Sequence, residues 1–189
     1  MRVTIPRALI ASALAVSLLW TGESRLAAQD AKPVKTASVT VVTAAILLSF
    51  ARFVEWPADV LAPDASLVFC ATDPPMVDAL REAVARATIQ AHALSVLQVQ
   101  PNAVPKTCGV LYASGLDARR LAQIAPTLKT GSVLSVGDSE DFIRSGGIIH
   151  LYKKNDQLRF TVNIAAAERA RLRLSSKLLT LASATVVRQ

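Results

Sequence analysis

The hydrophobic pattern of the chain begins with an apolar run over residues 8–20, which follows Arg2 and Arg7. A basic start and a run of this length are typical of a secretory signal, because a membrane-spanning helix needs roughly 20 apolar residues. We therefore expect residues 1–28 to be a signal peptide that directs export across the inner membrane. The alternative is an uncleaved N-terminal anchor. Residues 29–35 are polar and contain a proline, so we expect a flexible lead-in.

A second apolar stretch, residues 36–56, has the spacing of a buried helix. Its apolar residues recur one and two helical turns apart, as in Ala44, Leu47, Leu48, Ala51 and Val54. Pro57 should end the helix, because proline cannot continue it. The stretch is apolar enough to suggest a membrane span, but Arg52 and Glu55 lie within its last part. We therefore expect a buried first helix.

Strand-like and helix-like segments alternate along the rest of the chain. The predicted strands cover residues 67–71, 93–99, 108–112, 132–136, 148–152 and 158–162, and the predicted helices cover 76–87, 117–128, 164–171 and 175–182. This alternation predicts an α/β fold with a mostly parallel central sheet, flanked by helices on both faces. The last two strands should form an antiparallel C-terminal hairpin around a loop at 153–157, before the terminal helices. We expect one domain over residues 36–183.

An acidic segment over residues 135–141 follows one predicted strand. Asp138 and Asp141 have the spacing of a capping box, which predicts that a helix starts there. Doubly wound folds place their ligands at such strand ends, so the carboxylates could also hold a divalent metal. A separate hypothesis is a small-molecule-binding edge near Asp73, Ser114 and Asp138, each of which follows a predicted strand.

Charge and composition exclude several classes of function. The whole chain has a net charge of +7, and removal of residues 1–28 leaves 18 basic and 13 acidic residues, or +5. The charges are scattered, without basic runs among aromatic residues, so we expect no nucleic-acid binding. His92 and His150 have no metal-ligand neighbours in the sequence, and no nucleophile-elbow motif is present. We therefore expect no catalytic residue, no metal and no cofactor.

The chain has two cysteines, Cys70 and Cys108, and both lie in predicted strands. An even cysteine count in an exported chain suggests a disulfide bond, which neighbouring strands would allow. The alternative is a pair of free buried thiols.

A basic cluster near the C-terminus consists of Arg169, Arg171, Arg173 and Lys177. If the segment is helical throughout, Arg169, Arg173 and Lys177 are one turn apart. The cluster is then either a solvated helix face or a docking surface for an acidic partner segment.

Several ordered blocks resemble the YfiR family of periplasmic proteins. The opening block, A-A-I-L-L-S-F-A-R-F-V-E-W-P over residues 44–57, is similar to the family's A-A-F-L-Y-N-F-A-K-F-V-E-W-P. The further blocks are the strand with Cys70 and Asp73-Pro74, C-G-V-L-Y at 108–112, V-L-S-V-G-D at 133–138, G-G-I-I at 146–149, L-R-F-T-V-N at 158–163 and L-R-L-S-S-K-L-L at 172–179. Together they cover about residues 36–183.

The resemblance implies an α/β sandwich, often a homodimer, that works in the periplasm as a non-enzymatic repressor. Its partner would be an inner-membrane diguanylate cyclase of the YfiN type, or a sensor kinase, and restraint of the cyclase would lower cyclic di-GMP. The family's cysteine bridge carries over onto Cys70 and Cys108. We expect the partner-binding residues to lie on the C-terminal hairpin and helices, at Phe160, Thr161, Arg169, Arg171, Arg173 and Lys177. The alternative is a small-molecule-sensing module that acts with a sensor kinase.

The sequence departs from the family pattern at three places. It has one cysteine pair where some members have two. Thr161 occupies a position that is often acidic, and Leu48-Ser49 replaces an aromatic-Asn pair. These changes leave the expected fold intact.

Overall fold

The computed structural model describes residues 34–85, 87–182 and 186–187. All of them belong to one compact unit, residues 33–189. The predicted signal segment lies outside the described residues, as does most of the predicted lead-in, whose last two residues already belong to the first helix. In the described part of the chain, no helix is long and apolar enough to cross a membrane.

The described residues form five helices and ten strands. In chain order these are α1 (Val34–Arg52), β1 (Val54–Glu55), β2 (Leu67–Ala71), α2 (Pro74–Val84), β3 (Thr88–Ile89), β4 (His92–Gln98), β5 (Cys108–Ala113), α3 (Ala118–Thr130), β6 (Leu134–Gly137), β7 (Ile149–Lys154), β8 (Gln157–Asn163), α4 (Ile164–Arg169), β9 (Arg173–Leu174), α5 (Ser176–Leu181) and β10 (Val186–Val187).

Eight of the described strands form one sheet, in the order β10-β8-β7-β6-β5-β2-β4-β3. The neighbours from β4 to β7 are all parallel, as are β8 and β10. The pairs β7–β8 and β3–β4 are antiparallel. The predicted mixed α/β fold with a mostly parallel sheet is therefore confirmed. β1 and β9 form a separate antiparallel pair.

The buried apolar residues form two clusters that share the central strands. One cluster joins α1, α2, α4 and α5 to Phe69 of β2 and Val110 of β5. The other joins α3 to Cys70 of β2 and Leu111 of β5. Adjacent residues of a strand point to opposite faces, so the two clusters lie on opposite sides of the sheet. This double burial explains why β5 is apolar throughout and fully buried.

Side-chain caps start three of the helices. Asp73 accepts a hydrogen bond from the N–H of Met76 (3.0 Å), and two prolines occupy the first helical positions of α2. Asp117 accepts one from the N–H of Arg120 (2.8 Å), which confirms the predicted start of α3. Asn163 caps α4 in the same way.

The disulfide between Cys70 and Cys108 is confirmed, with the two Cα atoms 5.9 Å apart. The bond joins β2 to its neighbour β5. Since disulfides persist in oxidising compartments, the bond fits an exported protein.

Two predictions about the middle of the chain are wrong. The first helix ends at Arg52 and not before Pro57, because Val54 and Glu55 pair with β9. No helix starts near Asp138 and Asp141, where residues 140–146 form turns. The Asp138 carboxylate accepts the N–H of Gly115 at 3.0 Å, so it caps no helix.

The predicted hairpin and the helix that follows it are present in the C-terminal part, with different bounds. The hairpin loop is shorter than residues 153–157, because only Asn155 and Asp156 lie between β7 and β8. Both have positive φ, +50° and +58°, as a tight two-residue turn requires. The helix predicted over 164–171 stops at Arg169, since Arg171 adopts the left-handed conformation (φ +60°).

Candidate partner-binding surface

The two-stranded pair β1–β9 fastens the end of α1 to the segment before α5. Val54 pairs with Leu174 and Glu55 with Arg173. The N–H of Ser175 donates to the carbonyl of Phe53 (2.9 Å), which extends the connection by one bond. The predicted basic cluster is therefore held against the segment that follows the first helix.

Trp56 connects this pair to the central sheet. Its indole Nε1 donates to the carbonyl of Gly109 (3.2 Å), and a Cβ at Gly109 would overlap the Leu67 side chain. A glycine there lets the indole and Leu67 approach the backbone of β5 closely. The blocks F-V-E-W-P, C-G-V-L-Y and L-R-L-S-S-K-L-L, which are distant in sequence, thus meet at one place.

Arg171 forms an ion pair with Asp59 on the surface. Its two terminal nitrogens contact the two carboxylate oxygens at 2.7 and 2.8 Å. The hydrogen bond from Arg171, followed by its charge, lowers the pKa of the Asp59 carboxyl. Asp59 is 112 positions away in sequence, so the pattern of residues gave no sign of this partner. A protein that binds Arg171 must compete with Asp59.

Arg173 lies with Arg171 at a cleft of about 310 Å³, whose other lining residues are Glu55, Trp56 and Pro57. The cleft presents two guanidinium groups, one carboxylate and the indole ring. A partner surface with both a carboxylate and an apolar side chain fits this lining.

Arg169 lies at a different cleft, of about 390 Å³, which is lined by Lys129, Ile143, Arg144, Gly146, Asn163 and Arg169. Gly146 has φ +106°, and a Cβ there would lie 3.0 Å from Cγ of Lys129, so the lysine stem packs over the glycine. Arg144 pairs with Asp141. Sequence reasoning missed Lys129 and Arg144, because α3 and the turn that contains Arg144 are distant from Arg169 in the sequence and meet it only in the folded structure.

The prediction that the basic residues follow one helical face is wrong. Arg169 ends α4, Arg173 lies in β9 and Lys177 lies in the first turn of α5. The chain turns at Ala170 and Arg171 between these elements. All four basic side chains are exposed, with Arg171 and Arg173 together at one cleft and Arg169 at the other.

Phe160 and Thr161 are both half-buried residues of β8. The ring of Phe160 packs on Phe50 of α1, with ring centroids 4.7 Å apart. Thr161 lies opposite His150 across the β7–β8 pair. Phe160 therefore supports the hairpin against α1 and offers a partner only part of its ring.

The predicted ligand edge is assembled around Tyr112. Burial raises the pKa of the Tyr112 phenol well above its usual range, and the charges of Asp138 and Asp73 raise it further, while a hydrogen bond with Ser114 lowers it. The structure thus brings Asp73, Ser114 and Asp138 to one end of the sheet. Both carboxylates already accept hydrogen bonds from the backbone, since Asp73 caps α2 and Asp138 accepts the N–H of Gly115.

His92 lies at the start of β4, away from this edge, whereas His150 lies opposite Gly137, the residue before Asp138. Nδ1 of His92 is 2.8 Å from the carbonyl oxygen of Ala65, and the ring of His150 lies against Tyr152 (centroids 5.2 Å apart). Across residues 34–85, 87–182 and 186–187, no three metal-ligating side chains come together.

A family model described as YfiR/HmsC-like matches residues 40–183, about three quarters of the chain. A search of curated proteins finds no match.

Proposed function

Because the chain belongs to the YfiR/HmsC-like family, we propose that it is a non-enzymatic periplasmic regulator that binds and restrains an inner-membrane signalling protein. The partner is a diguanylate cyclase, and restraint lowers its output of cyclic di-GMP. The observation that carries this proposal is the family match over residues 40–183. The family is regulatory and periplasmic, and its members act on a membrane cyclase.

The Cys70–Cys108 bond supports the proposed compartment. A bond between two buried neighbouring strands needs an oxidising environment to form and persist. The predicted signal peptide over residues 1–28 supplies the route of export.

The proposed binding surface consists of the two basic clefts at Arg169 and at Arg173. Exposed cations on a net positive chain attract an acidic segment, and they mainly set the association rate and the orientation of the complex. The proposed surface also includes Phe160 and Thr161 of β8 and Lys177 of α5, which line neither cleft.

The experiment compares binding of the cyclase's periplasmic segment to the wild type and to the double variant Arg169→Glu/Arg173→Glu. We expect about tenfold weaker affinity by titration calorimetry, because two attractive contacts become repulsive. The matched control is Lys106→Glu/Arg119→Glu, which changes the net charge equally at exposed positions outside both clefts. Unchanged affinity in the first variant, or an equal loss in the control, would contradict the proposed surface.

A second candidate function is a small-molecule sensor at the edge formed by Asp73, Ser114 and Asp138. It is favoured by Thr72, whose buried Oγ1 has no hydrogen-bond partner in the described structure. Thr72 lies at this edge, since its N–H donates to the carbonyl of Tyr112 (3.2 Å). A thermal-shift screen of periplasmic solutes tests the idea. A stabilising solute should lose its effect in Thr72→Val, and a screen without any stabilising solute argues against a sensor.

A further inference from the structure

The outer side of β4 is an open sheet edge along most of its length. β3 pairs only with His92 and Ala93 at the start of the strand. The following residues pair with β2 on the inner side. Among the described residues, β2 is the strand that pairs with β4 beyond Ala93, and no strand pairs with its outer side there.

The hydrogen bonds of the strand identify which backbone groups are open. Val99 donates its N–H to the carbonyl of Ala71 (3.0 Å), which lies inward at β2. Backbone groups alternate in direction along a strand, so Leu97 also points inward, whereas Val96 and Gln98 direct their N–H and C=O groups outward. In the described structure these four groups have no protein partner.

The usual protection of a sheet edge is missing here. Edge strands commonly carry charges, a proline or a bulge that prevents further pairing. Residues 87–105 contain no Asp, Glu, Lys or Arg, and β4 contains no proline. Leu97 is 41% exposed, and Ala93 and Ser95 on the same face are exposed as well.

We propose that β4 is the self-association edge of this protein, where a second copy of the chain adds its own β4 in antiparallel orientation. A two-fold axis pairs the strand with itself, and this orientation lets both copies contribute the same surface. The result is one sheet that continues across the two molecules.

The open groups and β3 together fix the register. Val96 lies opposite Gln98 of the second copy, and each such pair exchanges two N–H···O bonds. Leu97 then lies opposite Leu97 of the second copy at the axis, with Cα atoms about 4.5 Å apart. This register keeps the second copy clear of β3, and it buries the exposed Leu97 side chains against each other.

Charge favours a second copy as the occupant. Without residues 1–28 the chain has a net charge of +5, so two copies repel each other least through a segment that contains no charged residue. An acidic partner has no counter-charge to bind on β4 and is attracted instead to the basic clefts. The inference goes beyond the proposed function, because it needs no cyclase.

Cysteine cross-linking tests both the edge and its register. The Cys70–Cys108 bond occupies the chain's own sulfurs, so an introduced cysteine is the free thiol of the described residues. Leu97→Cys should form a disulfide-linked dimer with copper phenanthroline and air, because the paired Cβ atoms lie about 5 Å apart. Ser95→Cys is the matched control on the same face, and its copies lie about 13 Å apart in this register.

Sedimentation of the purified wild-type protein gives an independent readout. We expect a concentration-dependent monomer–dimer equilibrium, and Leu97→Lys should raise the dissociation constant at least about tenfold, because like charges then face each other at the axis. At a concentration where the wild type is also monomeric, the melting temperature of Leu97→Lys should match that of the wild type. Equal cross-linking of Leu97→Cys and Ser95→Cys, a wild type that stays monomeric at millimolar concentration, or a dimer unaffected by Leu97→Lys would each overturn the proposal.

Discussion

Removal of the disulfide tests how much the connection between β2 and β5 contributes to stability. Cys70 and Cys108 are 38 positions apart and bonded to each other. In the chain-entropy treatment, a closed loop of this length lowers the entropy of the unfolded chain by an amount worth about 4 kcal/mol at 25 °C. The expected loss is a large share of the roughly 5–15 kcal/mol that stabilises a typical domain.

The assay is urea unfolding of the oxidised wild type, the reduced wild type and the variant Cys70→Ala/Cys108→Ala. We expect both changed proteins to lose about 4 kcal/mol of unfolding free energy, and the alanine variant to lose slightly more because both sulfurs are buried. The reduced wild type separates the effect of the cross-link from the effect of packing. A reduced protein within about 1 kcal/mol of the oxidised one would refute the reasoning.

Three further predictions concern the surface around the basic clefts. Trp56→Phe removes the bond to the carbonyl of Gly109 and should lower the free energy of unfolding by about 1–2 kcal/mol in urea unfolding; an unchanged value would show that water replaces the indole. The Asp59–Arg171 pair lowers the pKa of Asp59, so its stabilisation is present above the ordinary pKa of 3.8 and is lost as the pH falls through the lower folded-state pKa. Asp59→Asn should therefore weaken the dependence of the urea midpoint on pH in this acid range, and an unaltered dependence would contradict the pair. Gly146→Ala should cost about 1–3 kcal/mol by the same assay, because φ is +106° there, and a neutral effect would argue against this backbone conformation.

The central strands could be predicted from the sequence because their signal is local. The apolar runs at 67–71 and 108–112 match β2 and β5 to within one residue, since strands buried on both faces contain few polar residues. The capping residue Asp117 was also predictable, because its carboxylate acts on a backbone N–H only three positions away.

The predictions that failed concern features that depend on contacts between residues distant in the sequence. β1 and β9 contain two residues each, and no local pattern shows that Val54 pairs with Leu174. The capping-box prediction near Asp138 failed because Phe142 is buried between Gly137 and Gly147, where any Cβ would overlap its ring. The chain folds closely around that ring, and a helix there would separate the two glycines from it.

The basic cluster shows the same limit for the candidate site. Its residues could be named from the sequence, but their arrangement could not. The turn at Ala170 and Arg171 breaks the expected helical face, and Lys129 and Arg144 join Arg169 only through the folded structure. Which cation lies at which cleft is therefore a property of the fold.

Cellular cyclic di-GMP is the most direct measure of the proposed regulation. Deletion of the gene should raise its concentration, and the full chain should restore the original level. A version in which a single Met replaces residues 1–28 should fail to restore it, because this version is not exported and remains in the cytoplasm. A concentration that deletion leaves unchanged, or that both versions restore equally, would contradict a periplasmic restraint on a membrane cyclase.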